Sequence, residues 1–306
     1  MISSRDRAPI ALFVYNRPTL ARSTLDALAA NGGARESDLV IFSDGPRGET
    51  DRALVTQVRL LAASVAGFRS VKVVESPTNL GLAASIVTGV TALVAERGRI
   101  IVMEDDLVTS PVFLDFMNDS LNMYHSEPAV GAISGYTFPL EARLPETFFL
   151  LEESCWGWAT WSRAWAKFEP DGRKLLSEIQ RTGRLREFDL DGSFPFAQML
   201  QEQIAGRNNS WAIRWRASLF LNGMLSLYPG GSLVRNVGTD GSGTHATPSD
   251  IMYDTDLRLE PVRVERITVK VDDSVSGEMR RYFRKHFAYG RWPRTVRRLK
   301  RLLNQF

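Results

Sequence analysis

The stretch Arg99-Ile100-Ile101-Val102-Met103-Glu104-Asp105-Asp106-Leu107-Val108-Thr109-Ser110-Pro111 sets the terms for the rest of the chain. Its apolar run over residues 100–103 ends abruptly in three acids. A short apolar run without polar alternation predicts a strand covered on both faces of an α/β sheet. The acids then stand at that strand's C-terminal end, the edge along which open α/β sheets bind ligands. Three carboxylates there make an oxygen-rich site suited to Mg2+ or Mn2+. Taken alone, the triplet also reads as a solvated acidic turn.

Upstream of it, residues 9–108 alternate apolar runs with helix-like segments at the spacing of βαβ units. Pro9-Ile-Ala-Leu-Phe-Val-Tyr15 reads as a strand, and Asn16-Arg17-Pro18-Thr19 turns the chain into a helix over residues 20–31. Pro18 near its first turn and Gly32-Gly33 after its last are the punctuation helices prefer. A second strand over 38–43 ends in Asp44-Gly45-Pro46, a helix spans 49–66, and a third strand covers 70–74. Asn79-Leu80-Gly81-Leu82 opens a helix to about residue 97, and the acid-tipped strand closes the series. This is a nucleotide-binding type of half-domain.

With 306 residues the chain can bury a large core, and 44% hydrophobic with 24% charged residues is ordinary for a soluble globular protein. The net charge of +3 is mild, but ten Arg and Lys and no acid lie between Arg280 and Arg301, so the remainder is net acidic. A single cysteine, Cys155, excludes an intramolecular disulfide and fits a reducing compartment. No run reaches the roughly 18 apolar residues of a membrane span, and the longest candidate, over 211–229, is broken by Arg214, Arg216 and Asn222. The expectation is a cytoplasmic protein.

Past Pro111, residues 112–125 read as a helix and 130–134 as a strand. Trp156, Trp158, Trp161 and Trp165 then crowd into ten residues, with Trp211 and Trp215 further on. Such density serves either as core or as a platform on which a sugar or base stacks. Tyr228-Pro-Gly-Gly-Ser232 leads into Gly238-Thr-Asp240-Gly241-Ser242-Gly243-Thr-His245, a loop rich in glycine and hydroxyls that suits a lid over phosphates. Its spacing matches neither the Walker A motif nor the dinucleotide fingerprint. Asp272-Asp273 has no apolar strand before it and reads as a surface turn.

In order, Val14-Tyr-Asn16-Arg17-Pro18-Thr19, Phe42-Ser-Asp44-Gly45, Asn79-Leu-Gly81, Glu104-Asp105-Asp106, Gly157-Trp-Ala-Thr-Trp-Ser-Arg-Ala-Trp165, Ser210-Trp-Ala-Ile-Arg214 and the loop 238–245 resemble a glycosyltransferase of the GT-A fold. The ordering is similar to that of the N-acetylglucosaminyltransferase I type and its bacterial relatives, over roughly residues 9–246. The resemblance implies an α/β, Rossmann-like mixed sheet flanked by helices. Residues 1–110 would form the nucleotide-sugar half, 111–270 the acceptor half of the same domain, and 271–306 a basic helical tail. It further implies that Asn16, Arg17, Asp44 and Asn79 bind the nucleotide, and that Glu104 and Asp105 support the donor's ribose and sugar hydroxyls. Asp106 would ligate Mn2+ or Mg2+, with His245 as a second metal candidate, and Gly241 and Ser242 would close over a donor, with a UDP-sugar favoured. Independently of the resemblance, a nucleoside diphosphate leaving group needs a divalent cation to neutralise developing charge.

One position departs from that pattern. Inverting members carry a carboxylate as general base just before the tryptophan that here is Trp211, where this chain has Asn209-Ser210. Neither side chain accepts a proton usefully at neutral pH, which leaves Asp191 or Glu202 as substitutes, with Asp191 the chosen candidate.

From Thr295 on, Val296, Leu299, Leu302 and Leu303 recur at helical spacing among Arg297, Arg298, Lys300 and Arg301. A basic amphipathic helix of this kind suits either an anionic membrane surface or docking of its apolar stripe on the domain. No basic face for nucleic acid is visible elsewhere. The expected activity is transfer of a sugar, with inversion, to a hydroxyl of a surface glycan or lipid-linked acceptor. The competing readings are a catalytically silent glycan- or nucleotide-binding module, kept open by Asn209-Ser210, and a nucleotidyltransferase, which would want a glycine-rich basic loop after the first strand.

Overall fold

The computed structural model describes residues 7–238 and 253–286. Strand β1 (Ile10–Val14) leads into helix α1 (Pro18–Ala29), which Pro18 opens because no intrahelical N–H is required there. β2 (Asp38–Ser43), α2 (Glu49–Ala63), β3 (Ser70–Glu75) and α3 (Leu82–Arg97) follow, and α3 stops at Gly98 in the left-handed region. β4 (Arg99–Glu104) is the acid-tipped strand, and a short strand missed in the sequence, β5 (Leu107–Thr109), comes directly after the acids. Then come α4 (Phe113–Met123), β6 (Val130–Ser134), β7 (Thr147–Leu150) and β8 (Trp158–Trp161). Helices α5 (Ser162–Trp165), α6 (Gly172–Arg181), α7 (Leu185–Phe188), α8 (Phe196–Ile204) and α9 (Trp211–Leu221) precede β9 (Leu225–Pro229), β10 (Val234–Asn236) and α10 (Asp273–His286).

Eight strands form one mixed sheet in the order β3-β2-β1-β4-β8-β6-β9-β7, and β10 pairs with β5 in a separate ribbon. β1 to β4 are mutually parallel, as the βαβ spacing predicts, whereas β8 runs antiparallel between β4 and β6, and β7 antiparallel to β9. The expected α/β mixed sheet is therefore present, and it is continuous across the two halves read from the sequence.

Alternation along each strand sorts side chains onto two faces. Ile10, Leu12 and Val14 of β1 join Leu39, Ile41, Ile101 and Met103 under α1, α2 and α4. Ala11 and Phe13 join Val40, Ile100 and Val102 under α3 and α9. At Gly89 in α3 an added Cβ would lie 2.8 Å from the Phe13 ring, so glycine there lets the helix settle on the Phe13–Phe42 stack.

The tryptophan cluster resolves mostly into core. Trp158 stacks on Trp211 at 5.4 Å between ring centroids, and Trp165 and Trp215 complete the group. Trp161 is buried on the opposite face, and Trp156 alone of the six is only partly buried.

Asp272-Asp273, expected as a surface turn, instead begins α10, because Asp272 accepts a hydrogen bond from the Val275 N–H at 3.1 Å and caps the helix. The apolar side of α10, Val275, Met279, Tyr282 and Phe283, is buried against Phe148, Leu150 and Tyr228. Over these residues the basic amphipathic pattern is a docked helix; the stretch from Thr295 lies outside the described residues. Among the described residues no helix is long and apolar enough to cross a membrane.

Trp215 is fully buried among Trp158, Trp165 and Phe168. Replacing it with alanine is expected to lower unfolding free energy by about 3–5 kcal/mol in urea titrations, through lost transfer energy and an unfilled cavity.

Candidate functional site

Because β1, β2, β3 and β4 are parallel, Tyr15, Asp44, Ser76 and Asp105 come to one edge of the sheet, each just past its strand's end. Asp105 is nearly buried, its side chain 4% exposed, and it is held from two sides. The Arg17 guanidinium binds one oxygen and the Tyr15 N–H donates to the other at 3.3 Å. Arg17 also places Nη1 3.0 Å from Asp106 Oδ2. Its own side chain is one-fifth exposed, against 16% for Asp106. The carboxylates differ in protonation. Burial, then the charges of Asp106 and Asp105, push Glu104 up to about 8. Burial raises Asp105 to about 6 against the opposing pull of Arg17.

Asp106 lies under β10. Its backbone carbonyl accepts from the Val237 N–H at 2.8 Å, and a Cβ at Gly238 would collide with its carboxylate. The chain can pass over Asp106 only as glycine. Gly241, Ser242 and His245 lie outside the described residues.

Among the described residues no three His, Cys, Asp or Glu side chains group to hold a metal by themselves. Asp106, the more open of the two aspartates and 3.0 Å from Arg17, could hold a cation only through a single carboxylate, the remaining ligands coming from outside the protein.

The other nucleotide candidates are engaged within the protein. Asp44 accepts from the backbone N–H groups of Gly45, Leu80 and Gly81 at 2.8–2.9 Å and from Asn79 Nδ2 at 3.1 Å. Asp44 and Asn79 thus pin the turn that starts α3. Asn16 Nδ2 donates to Asp51 at 3.3 Å, and Tyr15 donates its hydroxyl to the same carboxylate at 2.6 Å. Of the nucleotide candidates, Arg17 is the one brought into contact with the acidic triplet.

A second cluster adjoins the triplet. β8 pairs antiparallel with β4, Val102 opposite Trp158, and Cys155, just ahead of β8, lies within electrostatic reach of Glu104. There a cavity of about 220 Å³ opens, walled by Tyr136, Phe138, Trp156, Phe196 and Phe283. Its polar lining includes Glu152, Glu153, Cys155, Ser210 and Arg216. Ser210, at the position where the family pattern expects a carboxylate, does line this cavity, but its hydroxyl accepts from the Ile213 N–H at 3.2 Å as the cap of α9. The carboxylates come from across the cavity instead.

The Cys155 thiol donates to Glu153 Oε2 at 2.8 Å, while Glu153 Oε1 and Glu152 Oε2 have no hydrogen-bond partner among the described residues. Burial lifts Glu153 to about 7, opposed by the Cys155 hydrogen bond and by Arg216. Arg216, 4% exposed, donates Nη2 to the Phe188 carbonyl at 3.0 Å and lies 3.6 Å over the Phe196 ring. Its Nε and Nη1 are unpartnered.

Sequence reasoning passed over Glu152 and Glu153. The signal was there: the apolar strand Thr147–Leu150 runs into paired acids much as β4 does. Asp191 sits on the surface, 44% exposed, between Arg280 at 3.4 Å and Arg186 at 3.8 Å, and does not line the cavity. Glu202 is on α8, bonded to Gln198 at 3.0 Å.

No protein-family model and no curated protein matches the chain. Solved structures of glycosyltransferases do resemble it. One is the mannosyltransferase PcManGT from Pyrobaculum calidifontis in complex with GDP-Man and Mn2+, at 13% identity and a TM-score of 0.40, over 71% of this chain and 69% of that one. Another is S. aureus TarS, at 14% identity and a TM-score of 0.31, over 46% of this chain and 24% of that one. A structure of TarS residues 1–349 gives 13% identity and a TM-score of 0.32, over 50% of this chain and 47% of that one.

Removing the Asp44 carboxylate as Asp44→Ala is expected to release the turn before α3. Each hydrogen bond to a charged acceptor contributes about 1.5–3 kcal/mol. Amide exchange at Leu80 and Gly81 should therefore quicken by at least about tenfold, measured by NMR, with little change at amides of β6 and β9.

Proposed function

We propose that the chain is a metal-dependent, inverting glycosyltransferase of the hexosyl or N-acetylhexosaminyl type. Its donor is a nucleotide sugar, a UDP-sugar first among the candidates. Its acceptor is a hydroxyl of a glycan or lipid-linked glycan, met at the inner face of a membrane. The observation that carries the reading is that Cys155, in the lining of an aromatic-walled cavity with carboxylates of its own, lies within electrostatic reach of Glu104 at the acid-tipped sheet edge. A transferase needs two adjoining subsites of this kind, a charged one for the diphosphate and a sugar-shaped one for the acceptor.

In this reading Asp106 holds the cation, which when bound would neutralise charge developing on the leaving diphosphate. Arg17 supplies a fixed positive charge at the same edge, already oriented by Asp105. Glu104 and Asp105 orient donor hydroxyls. The basic residues over 291–301 support an anionic, membrane-borne acceptor. Asn209 and Ser210 favour the second reading, a binding module without turnover.

Calorimetric titration with UDP-glucose, UDP-N-acetylglucosamine, UDP-galactose and GDP-mannose, each with Mn2+ and with EDTA, tests the donor site. One of them is expected to bind in Mn2+ and to weaken at least about tenfold in EDTA and again in Asp106→Asn, the loss of a ligand carboxylate costing upward of 1.4 kcal/mol. Binding of none of the four would remove the transferase reading.

A further inference from the structure

The aromatic cavity holds an unusual set of polar atoms. Glu153 Oε1, Glu152 Oε2 and Arg216 Nε and Nη1 are buried without partners among the described residues, and all three residues line the same space. Leaving such groups unsatisfied costs free energy, and here two acceptors and two donors are left together. Arg216 is not spent on either carboxylate: its charge rests on the Phe196 ring and the Phe188 carbonyl.

A ligand that satisfies this set must both donate and accept at neighbouring positions and present apolar faces to Trp156, Tyr136 and Tyr253. A sugar ring, with hydroxyls on its rim and C–H groups on its faces, has that chemistry. A phosphate or carboxylate ligand would answer Arg216 but would be set against Glu152 and Glu153.

The two glutamates are not equivalent. Glu152 is 7% exposed, its backbone carbonyl accepting the Tyr228 hydroxyl at 3.2 Å. Glu153 is the more open of the pair and is oriented by the Cys155 thiol on one oxygen, leaving the other for a substrate. Cys155, bonded to Glu153, in turn lies within electrostatic reach of Glu104.

We propose that Glu153 is the general base that receives the proton of the attacking acceptor hydroxyl, with Glu152 and Arg216 binding other hydroxyls of that acceptor. This rests on the transferase reading above. In the step, the acceptor O–H bond breaks and its proton passes to the Glu153 carboxylate. The oxygen's electron pair forms the bond to the donor's anomeric carbon, and the bond from that carbon to the diphosphate oxygen breaks, its electron pair leaving with the nucleoside diphosphate. A base near neutrality is well matched to this task. The titratable and charged groups that face Glu153 are Glu152 and Cys155 on its own connection, Arg216 from α9 and Tyr228 from β9.

The test uses the full chain, the donor found by calorimetry, and p-nitrophenyl glucoside and galactoside as acceptor probes, with nucleoside diphosphate release as the readout. Glu153→Gln is expected to bind donor with a Kd within about twofold of wild type while transfer falls by about 10²–10⁴. Wild-type kcat/KM should rise with pH through about 7, since the base acts in its ionised form, and that limb should vanish in Glu153→Gln. Cys155→Ala removes a hydrogen bond that favours the ionised carboxylate, so the same limb should move to higher pH with donor affinity unchanged. Transfer by Glu153→Gln within about threefold of wild type would overturn the assignment and leave the transferase reading standing. So would an unshifted limb in Cys155→Ala, which decides the matter where Glu153→Gln does not fold. Absence of donor binding by wild type would remove the transferase reading and the assignment with it.

Discussion

The pairing of Arg17 with Asp105 is the contact on which the candidate site depends. A carboxylate as buried as Asp105 is costly unless a cation stands against it, and breaking such a pair leaves an uncompensated charge in the interior. Arg17 follows β1 and Asp105 follows β4, so the pair ties together the ends of two neighbouring parallel strands. The Thr24 hydroxyl of α1 donates to the Asp105 carbonyl at 2.9 Å and fixes the same turn from the helix side. With Asp105 immobilised, Asp106 has one direction left to face, outward beneath Gly238. The geometry of the edge is thus set before any ligand arrives, which is the condition under which fixed charges act on a reacting centre without reorganising.

What the sequence disclosed, and what it hid, follows from how local each signal was. The parallel half was readable because each of its strands is a short apolar run with punctuated helices between, a local signal even where the pairing it leads to, as of β1 with β4, joins distant residues. The acid triplet was readable for the same reason. Glu152 and Glu153 obey the same rule of apolar strand followed by acids, but Arg216, which shares their cavity, lies some 60 residues on and no local pattern announces it. Ser210, at the position before Trp211 where the resemblance implies a carboxylate, lines the cavity, while the carboxylates there arrive from the β7–β8 connection.

The basic helix shows the opposite limit. An apolar stripe flanked by Arg and Lys satisfies a membrane surface and a protein surface equally, because both bury the stripe and leave the charges wet. Over α10 the protein core supplies the burial, and the charges find acids on the domain: Arg280 with Asp191, Lys285 with Glu141. Asp191, attractive in sequence as an unassigned acid, is part of this docking contact.

The two acid clusters on either side of the β4–β8 pair share the effect of burial and differ in where their arginine points. At the sheet edge Arg17 is set directly against Asp105 and Asp106, yet burial still raises Asp105 to about 6 and Glu104 to about 8. In the cavity the only cation, among the described lining residues, is turned onto aromatic rings, so burial goes largely unopposed and Glu153 rises to about 7. In both places desolvation outweighs the guanidinium, and only at the sheet edge is the guanidinium in contact with the acids. The Phe196 ring under Arg216 marks that difference: were Arg216 free to swing onto Glu153, its charge would favour the ionised carboxylate and bring Glu153 down toward the ordinary carboxylate range.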